Sequence, residues 1–314
     1  MSAMDLTGYL LLLAAAAVFF LTVAAIDGHR FVIREYRITS AKVSRRLTFV
    51  FVSDLHGKDY GNRNAALVKA IEEIHPDAVL IGGDLIVSRT AAEDRKEWLG
   101  TSLAFARSLA RLCPVFFTNG NHESQLYWDE CFHPQYRRLM RGLRNAGVVL
   151  LHNRSVDFKG IRISGLELPK EGYRKIFPSR LEPSCVEEAL GPSDPSVFEL
   201  LLTHNPKFFP FYADWGADLV LAGHVHGGIM RIGRLGMISP DYRLFPKYSG
   251  GLYRYPEKGT PDQHPDGAPA RMVLSCGIGE HTLPLRIFNP AELGVIYLEP
   301  EHLSSGMEEY GTGN

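Results

Sequence analysis

Five short apolar runs in this chain each lead directly into residues that can bind a metal ion. Leu47–Val52 leads into Ser53-Asp54-Leu55-His56, and Ala78–Ile81 into Gly82-Gly83-Asp84. Val115–Phe117 leads into Thr118-Asn119-Gly120-Asn121-His122-Glu123. Glu199–Leu202 leads into Thr203-His204, and Leu219–Leu221 into Ala222-Gly223-His224-Val225-His226. Two Asp, one Asn and three or four His brought together read as a hydrolytic metal centre, because carboxylate, amide and imidazole groups are oxygen and nitrogen donors for divalent ions. To meet, each apolar run must be a buried strand and each ligand must sit where that strand finishes. In open α/β sheets the carboxyl ends of the strands form the functional crevice.

The intervening sequence supplies elements that can hold those strands. A helix is expected over Asn64–His75, where Leu67, Ala70, Ile71 and Ile74 recur at helical spacing and Pro76 ends it. Others are expected over Ala92–Leu112 and Gln135–Ala146, the last closed by Gly147. Strands follow at Val148–Leu151, Val156–Phe158 and Ile161–Ser164, with Lys159-Gly160 turning between the last two. Glu167–Ser196 is expected as a surface excursion with one helix near Cys185–Leu190, and Tyr255–Ala270 as a flexible loop. Met272–Ser275 and Gly294–Leu298 are the closing strands, followed by a disordered tail over residues 301–314. No repeat interrupts residues 47–300, which are expected to form one domain.

Composition narrows the function. A chain of 314 residues with a formal charge of −1 has ample sequence for a core and no bulk positive charge for a nucleic-acid partner. Cys113, Cys131, Cys185 and Cys276 are widely spaced and suggest neither a zinc site nor a disulfide framework. Leu6–Ile26 runs 21 residues without a charge, the length needed to cross a bilayer. A cleaved signal peptide would have a positive segment ahead of it, and none is present. Residues 1–27 are therefore expected to be an uncleaved anchor, and 28–46 a basic juxtamembrane segment with an edge strand around Phe31–Ile38. Arg30, Arg34, Arg37, Lys42, Arg45 and Arg46 follow the span, which places the domain on the cytoplasmic side of the cell membrane. This basic run is either a solvated stem or a lipid contact.

Taken in order, Asp-x-His, Gly-Gly-Asp, Gly-Asn-His-Glu, Thr-His and Gly-His-x-His resemble the calcineurin-like metallophosphoesterase superfamily over nearly all of residues 47–298. Each motif alone is weak; five in register are specific. The loop Gly227–Gly251, the run Ser275-Cys276-Gly277-Ile278-Gly279, Pro284-Leu285-Arg286 and Asn289-Pro290 resemble its membrane-anchored bacterial phosphodiesterase branch. The resemblance implies an α/β fold of two packed mixed β-sheets flanked by helices, a four-layer sandwich behind an N-terminal transmembrane helix. It implies that Asp54, His56 and His226 hold one metal, that Asn121, His204 and His224 hold a second, and that Asp84 bridges them. It places His122 beside the substrate phosphate, as a proton donor or charge stabiliser rather than a ligand.

The chemistry of such a centre follows from its charges. Two carboxylates and a bridging hydroxide oppose two divalent ions, leaving about one positive charge to meet a phosphodiester anion. Mixed nitrogen and oxygen ligation favours Mn, Fe or Zn over Mg or Ca. A water acidified by both ions is the expected nucleophile for in-line attack, with His122 protonating or stabilising the leaving oxygen. No Ser or Cys nucleophile is evident.

Other residues have plainer readings. Glu123 is expected to brace a neighbouring loop rather than act as acid or base. His29, His75, His133, His152, His264, His281 and His302 lack any motif context. Arg286 either reaches the site or makes a structural ion pair. Tyr127, Trp128, Phe132, Tyr173, Phe177, Phe208, Phe209, Phe211 and Tyr212 are mostly core, with some available to line an apolar groove for a lipid-linked substrate. The expected function is a membrane-anchored dimetal phosphodiesterase. The alternatives are a pyrophosphate hydrolase of a nucleotide-linked lipid precursor (UDP-diacylglucosamine type) and a non-catalytic metal-binding scaffold at the membrane. A nuclease would need a basic groove, and the charge balance outside the stem supplies none.

Overall fold

The computed structural model describes residues 5–93, 98–174, 181–233, 235–238, 244–256, 269–280 and 285–301. The tail expected over residues 301–314 lies outside them except for Glu301, as does most of the loop expected over Tyr255–Ala270. Helix α1 (Leu6–His29) comes first, its N-terminus capped by the Asp5 carboxylate, which accepts from the Gly8 amide at 2.8 Å. Its apolar residues point in every direction and only Ala24, Asp27 and Gly28 are buried.

The strands of the first half are β1 (Phe31–Ser40), β2 (Leu47–Val52), β3 (Ala78–Ile81), β4 (Val115–Phe117) and β5 (Val149–Leu150). Those of the second half are β6 (Arg154–Phe158), β7 (Ile161–Leu166), β8 (Phe198–Thr203), β9 (Leu219–Ala222), β10 (Arg231–Ile232) and β11 (Leu235–Gly236). They are completed by β12 (Gly251–Tyr255), β13 (Ala270–Leu274) and β14 (Ala291–Pro300). Helices α2 (Ala65–Ile74), α3 (Ser88–Ala92), α4 (Gly100–Leu112), α5 (Asn121–Trp128) and α6 (His133–Asn145) accompany the first half. Helices α7 (Cys185–Leu190) and α8 (Phe209–Trp215) accompany the second.

Two six-stranded mixed sheets result, ordered β1-β14-β2-β3-β4-β5 and β12-β13-β9-β8-β7-β6. Strand β14 returns to the first sheet, parallel to β1 and antiparallel to β2, and closes the chain onto its own beginning. Along β2 the side chains alternate between two interiors. Phe49 and Phe51 face the other sheet, meeting Leu200, Leu202 and Leu221, while Val50 and Val52 face the helices. A strand buried on both faces needs a continuous apolar run, which is why the ligand-bearing strands lack polar alternation. A third apolar layer, with Phe209, Tyr212 and Val220, lies between the second sheet and α8. The architecture is the expected four-layer one: helices, sheet, sheet, helices.

Two elements differ from the sequence pattern. Of the helix expected over Ala92–Leu112, the structure shows α4 from Gly100 onward, while Ala92 ends the preceding α3 and Trp98 and Leu99 are buried in the turn before α4. Those apolar residues face the core from non-helical backbone, which helical spacing alone does not distinguish. Strand β1 is ten residues long and pairs along its whole length with β14, so the basic segment carries a complete edge strand. Its cations are engaged within the fold: Arg34 with Glu292 at 3.2 Å, Arg37 with Glu299 at 3.3 Å and Lys42 with Asp218 at 2.9 Å.

Candidate metal centre

Parallel strands β2, β3 and β4 of one sheet and β8 and β9 of the other end at the same edge of the molecule. The turns that follow them carry the motif residues. Asp54, His56, Asp84, His224 and His226 all adopt left-handed backbone, with φ of 58°, 50°, 53°, 75° and 50°. Such conformations are uncommon away from glycine and cost about 1–3 kcal/mol each, so the surrounding fold must hold them. Two glycines let the turns close on one another. A Cβ on Gly120 would collide with the Asp84 carboxylate, and one on Gly223 with Ser53 Oγ and the Asp54 carboxylate.

Side chains distant in sequence meet in this crevice. His226 Nε2 lies 3.1 Å from Asp54 Oδ1, and His204 Nε2 lies 3.0 Å from Asp84 Oδ2. His56 Nε2 is 3.9 Å from Asp54 Oδ1, 3.8 Å from Asp84 Oδ2 and 3.0 Å from His226 Nε2, with the two rings nearly parallel. Three groups, Asp54–His56–His226, Asp54–Asp84–His204 and His56–Asp84–His122, each place their donor atoms within 4.8 Å of one another. Asp54 and Asp84 therefore link the groups. The His224 ring stands 5.2 Å from that of His204, without joining those groups. Asn121 begins α5, and its buried Oδ1 has no hydrogen-bond partner among the described residues.

The donors are prepared for a cation. His204 Nδ1 lies 2.7 Å from the Gly82 carbonyl, which accepts its proton and leaves Nε2 directed at Asp84. Ser53 Oγ and the His224 amide donate to the Asp54 carboxylate and fix its orientation. Burial opposes ionisation of Asp54 and Asp84, yet nearby imidazoles hold both carboxyls below the usual range, led by His226 and His204 for Asp54 and by His204 and His122 for Asp84. Burial also opposes a charged His204, but Asp84 and Asp54 push it up to about 10. Burial takes His56 down to about 3 against the pull of Asp84. The proton on His204 supplies positive charge that the two carboxylates require. A divalent ion held by the same atoms would supply that charge in place of the proton, so the donor set fits the metal that the resemblance implies.

His122 is held from behind. The Ser88 amide donates to His122 Nδ1 at 3.1 Å, so in the neutral ring Nδ1 is the acceptor and the proton resides on Nε2. That Nε2 lies 3.9 Å from Asp84 Oδ2, inside the crevice, and burial lowers the pKa of the ring. Ser88 Oγ also contacts Nδ1 at 2.9 Å and donates to Gln125 Oε1 at 2.6 Å. Glu123 braces the loops, as its position suggested: it accepts from the amides of Asp84, Gly120 and Ile86. Burial, then repulsion from Asp84, pushes its carboxyl up to about 7.

Sequence reasoning missed several supports. Ser88 and Gln125 have no motif character; only the approach of α3 to α5 brings them to His122. Asn289 donates from Nδ2 to the carbonyls of His226 and Gly228, both at 2.7 Å, and its amide donates to Asp27 at the end of α1 at 2.9 Å. Lys58, two residues past His56, donates to the Gly28 carbonyl at 2.9 Å. Arg286 serves neither of its two expected roles. It is buried and donates to the carbonyls of Cys276, Gly277 and Asn289, organising the loop beneath the site.

A cleft of about 400 Å³ adjoins the centre through His224 and Tyr173. Its wall carries Arg174, Lys207 and Lys247 beside Leu244, Phe245 and Tyr248. Among the aromatics expected at a groove, Phe209 and Tyr212 are core, Tyr173 lines the cleft, and Phe177 lies outside the described residues.

Residues 47–228 match the calcineurin-like phosphoesterase family, and the chain belongs to that family. Similar proteins include an uncharacterised metallophosphoesterase of Helicobacter pylori, 26% identical over 86% of this chain and 64% of its own length. YpbG of Bacillus subtilis, also uncharacterised, is 27% identical over 72% of this chain and 79% of its own. The phosphodiesterase YaeI of Escherichia coli is 26% identical over 60% of this chain and 63% of its own. The chain thus spans a little under two thirds of the Helicobacter relative. The family is one of dimetal-dependent metallophosphoesterases, and the Asp and His groups of this chain could bind metal.

Proposed function

We propose that the protein is a membrane-anchored two-metal phosphodiesterase. The observation that carries the proposal is the convergence of Asp54, His56, Asp84, His204 and His226 in overlapping groups of ligand reach linked by the two carboxylates, with the His122 Nε2–H beside them. In this assignment Asp54, His56 and His226 would hold one ion, Asn121, His204 and His224 would hold the other, and Asp84 would be shared by both. Two Mn, Fe or Zn ions, when bound, supply an acidified water and charge to neutralise phosphate. The chain's own residues do the rest. Ser53, Gly82 and Glu123 fix the carboxylates, the His204 ring and the Asp84 backbone before substrate arrives. Ser88 keeps the His122 N–H on Nε2, placed to donate a hydrogen bond that stabilises charge on the leaving oxygen.

The likeness to a protein described as a phosphodiesterase supports diester over monoester cleavage. The membrane setting is supported by α1, 24 residues long, apolar and exposed, and the basic residues that follow it favour a cytoplasmic domain. A second reading, hydrolysis of a pyrophosphate bond in a nucleotide-linked lipid, is favoured by the cleft. Arg174, Lys207 and Lys247 suit added phosphate charge, and Leu244 and Phe245 suit an apolar tail.

The test is metal reconstitution of the full chain followed by assay on an aryl phosphodiester, the matching monoester and a nucleotide-lipid pyrophosphate. Preference for the diester is expected, with turnover lost in Asp84→Ala and His204→Ala. Wild-type rates in both variants at matched metal loading would overturn the two-metal proposal. Preference for the pyrophosphate would select the second reading.

A further inference from the structure

Phe288 packs against α1 well inward of its domain end, tilted against Phe19 and edge-on to Phe20. Its ring centroid is 6.2 Å from that of Phe19 and 6.3 Å from that of Phe20. If Leu6–Ile26 crosses the bilayer, Phe20 lies six residues inward of the end of that span, roughly 9 Å at ~1.5 Å per residue. Phe288 is then at the same depth, inside the hydrocarbon. The chain around it is tied to a small extended assembly. Met230 pairs with Ile287, Arg231 N donates to the Ile287 carbonyl at 3.1 Å, β10 pairs with β11, and Ile238 pairs with Leu244.

This assembly exposes large apolar side chains that the core does not use. Ile232, Leu235, Leu244 and Phe245 are 61–69% exposed. Ile232 and Leu235 stand directly opposite one another in the β10–β11 pair, hence on one face. The two arginines of the described assembly turn away from it. Arg231 is buried and donates to the Ser249 carbonyl, and Arg286 donates to the carbonyls beneath the metal loops. An apolar surface of this kind, continuous with a membrane helix through Phe288, is suited to lipid.

We infer that Ile232, Leu235, Leu244 and Phe245, with the 285–288 loop, enter the bilayer surface beside α1, so that the catalytic cleft opens at the lipid face. The inference rests on reading α1 as a membrane anchor and gives the proposed site a direction. Leu244 and Phe245 belong both to this surface and to the cleft wall that His224 lines, so a substrate tail reaches the cleft from the bilayer without crossing water. The apolar part of the substrate is therefore lipid.

The experiment uses the full chain in phosphatidylethanolamine–phosphatidylglycerol nanodiscs, with and without lipids brominated along the acyl chain. Phe288→Trp, Ile232→Trp and Phe245→Trp are each compared with the parent, and Leu13→Trp reports on α1 itself. The added fluorescence of all four is expected to be strongly quenched, Phe288→Trp by bromines deeper in the chain than those that quench Ile232→Trp. Quenching of Leu13→Trp alone would overturn the inference while leaving the anchor intact. Absence of quenching in all four would remove the anchor and the inference together.

Discussion

Asn289→Ala removes a side chain that touches no substrate and ligates no metal, yet the structure gives it a large effect. Its Nδ2 satisfies two carbonyls, His226 O and Gly228 O, in the turn that carries two proposed ligands. Asn289 is fully buried, so water does not replace those bonds at once. Each buried carbonyl left without a donor costs about 1–3 kcal/mol. Allowing a water to enter the space of the lost amide, the pair costs roughly 2–4 kcal/mol. For a domain of this size about 2–4 °C of Tm accompanies each kcal/mol, so Tm should fall by roughly 5–15 °C. The second consequence is specific to the site. His226 sits at φ 50°, and the two bonds hold its carbonyl and that of Gly228, and with them the turn, in place. Released, the turn relaxes toward ordinary backbone and draws the imidazole from Asp54, lowering metal affinity about 10–100-fold. Thermal unfolding by circular dichroism and metal titration by calorimetry give the two readouts on the same protein. A lowered Tm with unchanged metal affinity would refute the positioning argument, and an unchanged Tm would refute the hydrogen-bond argument as well.

His122→Gln should lower kcat about 10²–10⁴-fold without reducing bound metal, and more for an alkyl than for an aryl leaving group. Equal losses for both would remove its role at the leaving oxygen. Gly120→Ala should abolish metal binding, because its methyl would occupy the place of the Asp84 carboxylate; metal analysis of the purified variant checks this. Metal at about 100 times its Kd should stabilise the protein by roughly 2.7 kcal/mol, read as a raised Tm that a chelator reverses. Under native conditions a thiol reagent should label exposed Cys131 and spare Cys276, which burial and then Glu292 push up to about 12; mass spectrometry of the labelled peptides decides.

Much of the site is legible because a sheet buried on both faces leaves an unmistakable trace. Runs such as Ala78–Ile81 and Leu219–Leu221 have no polar position, so the first polar residues after them mark strand ends, and a strand end is where ligands gather. The continuous charge-free run Leu6–Ile26 likewise announces a helix of bilayer length. Helix limits were less legible where burial and helicity part company, as at Trp98 and Leu99, which are apolar for the core and lie outside α4.

The sequence by itself determined which residue types stand at the strand ends, in what order, and that an apolar helix precedes them. Those properties are local, set by side-chain chemistry and by periods of two and 3.6 residues. Only the tertiary structure decided how Asp54 and Asp84 of one sheet face His204 and His226 of the other, since no local pattern encodes the packing of two sheets. It alone brought Ser88 to His122, Asn289 to the His226 turn and Phe288 to the side of α1. Each of those contacts joins segments far apart in sequence or on separate elements, and depends on backbone angles that only the assembled fold can hold.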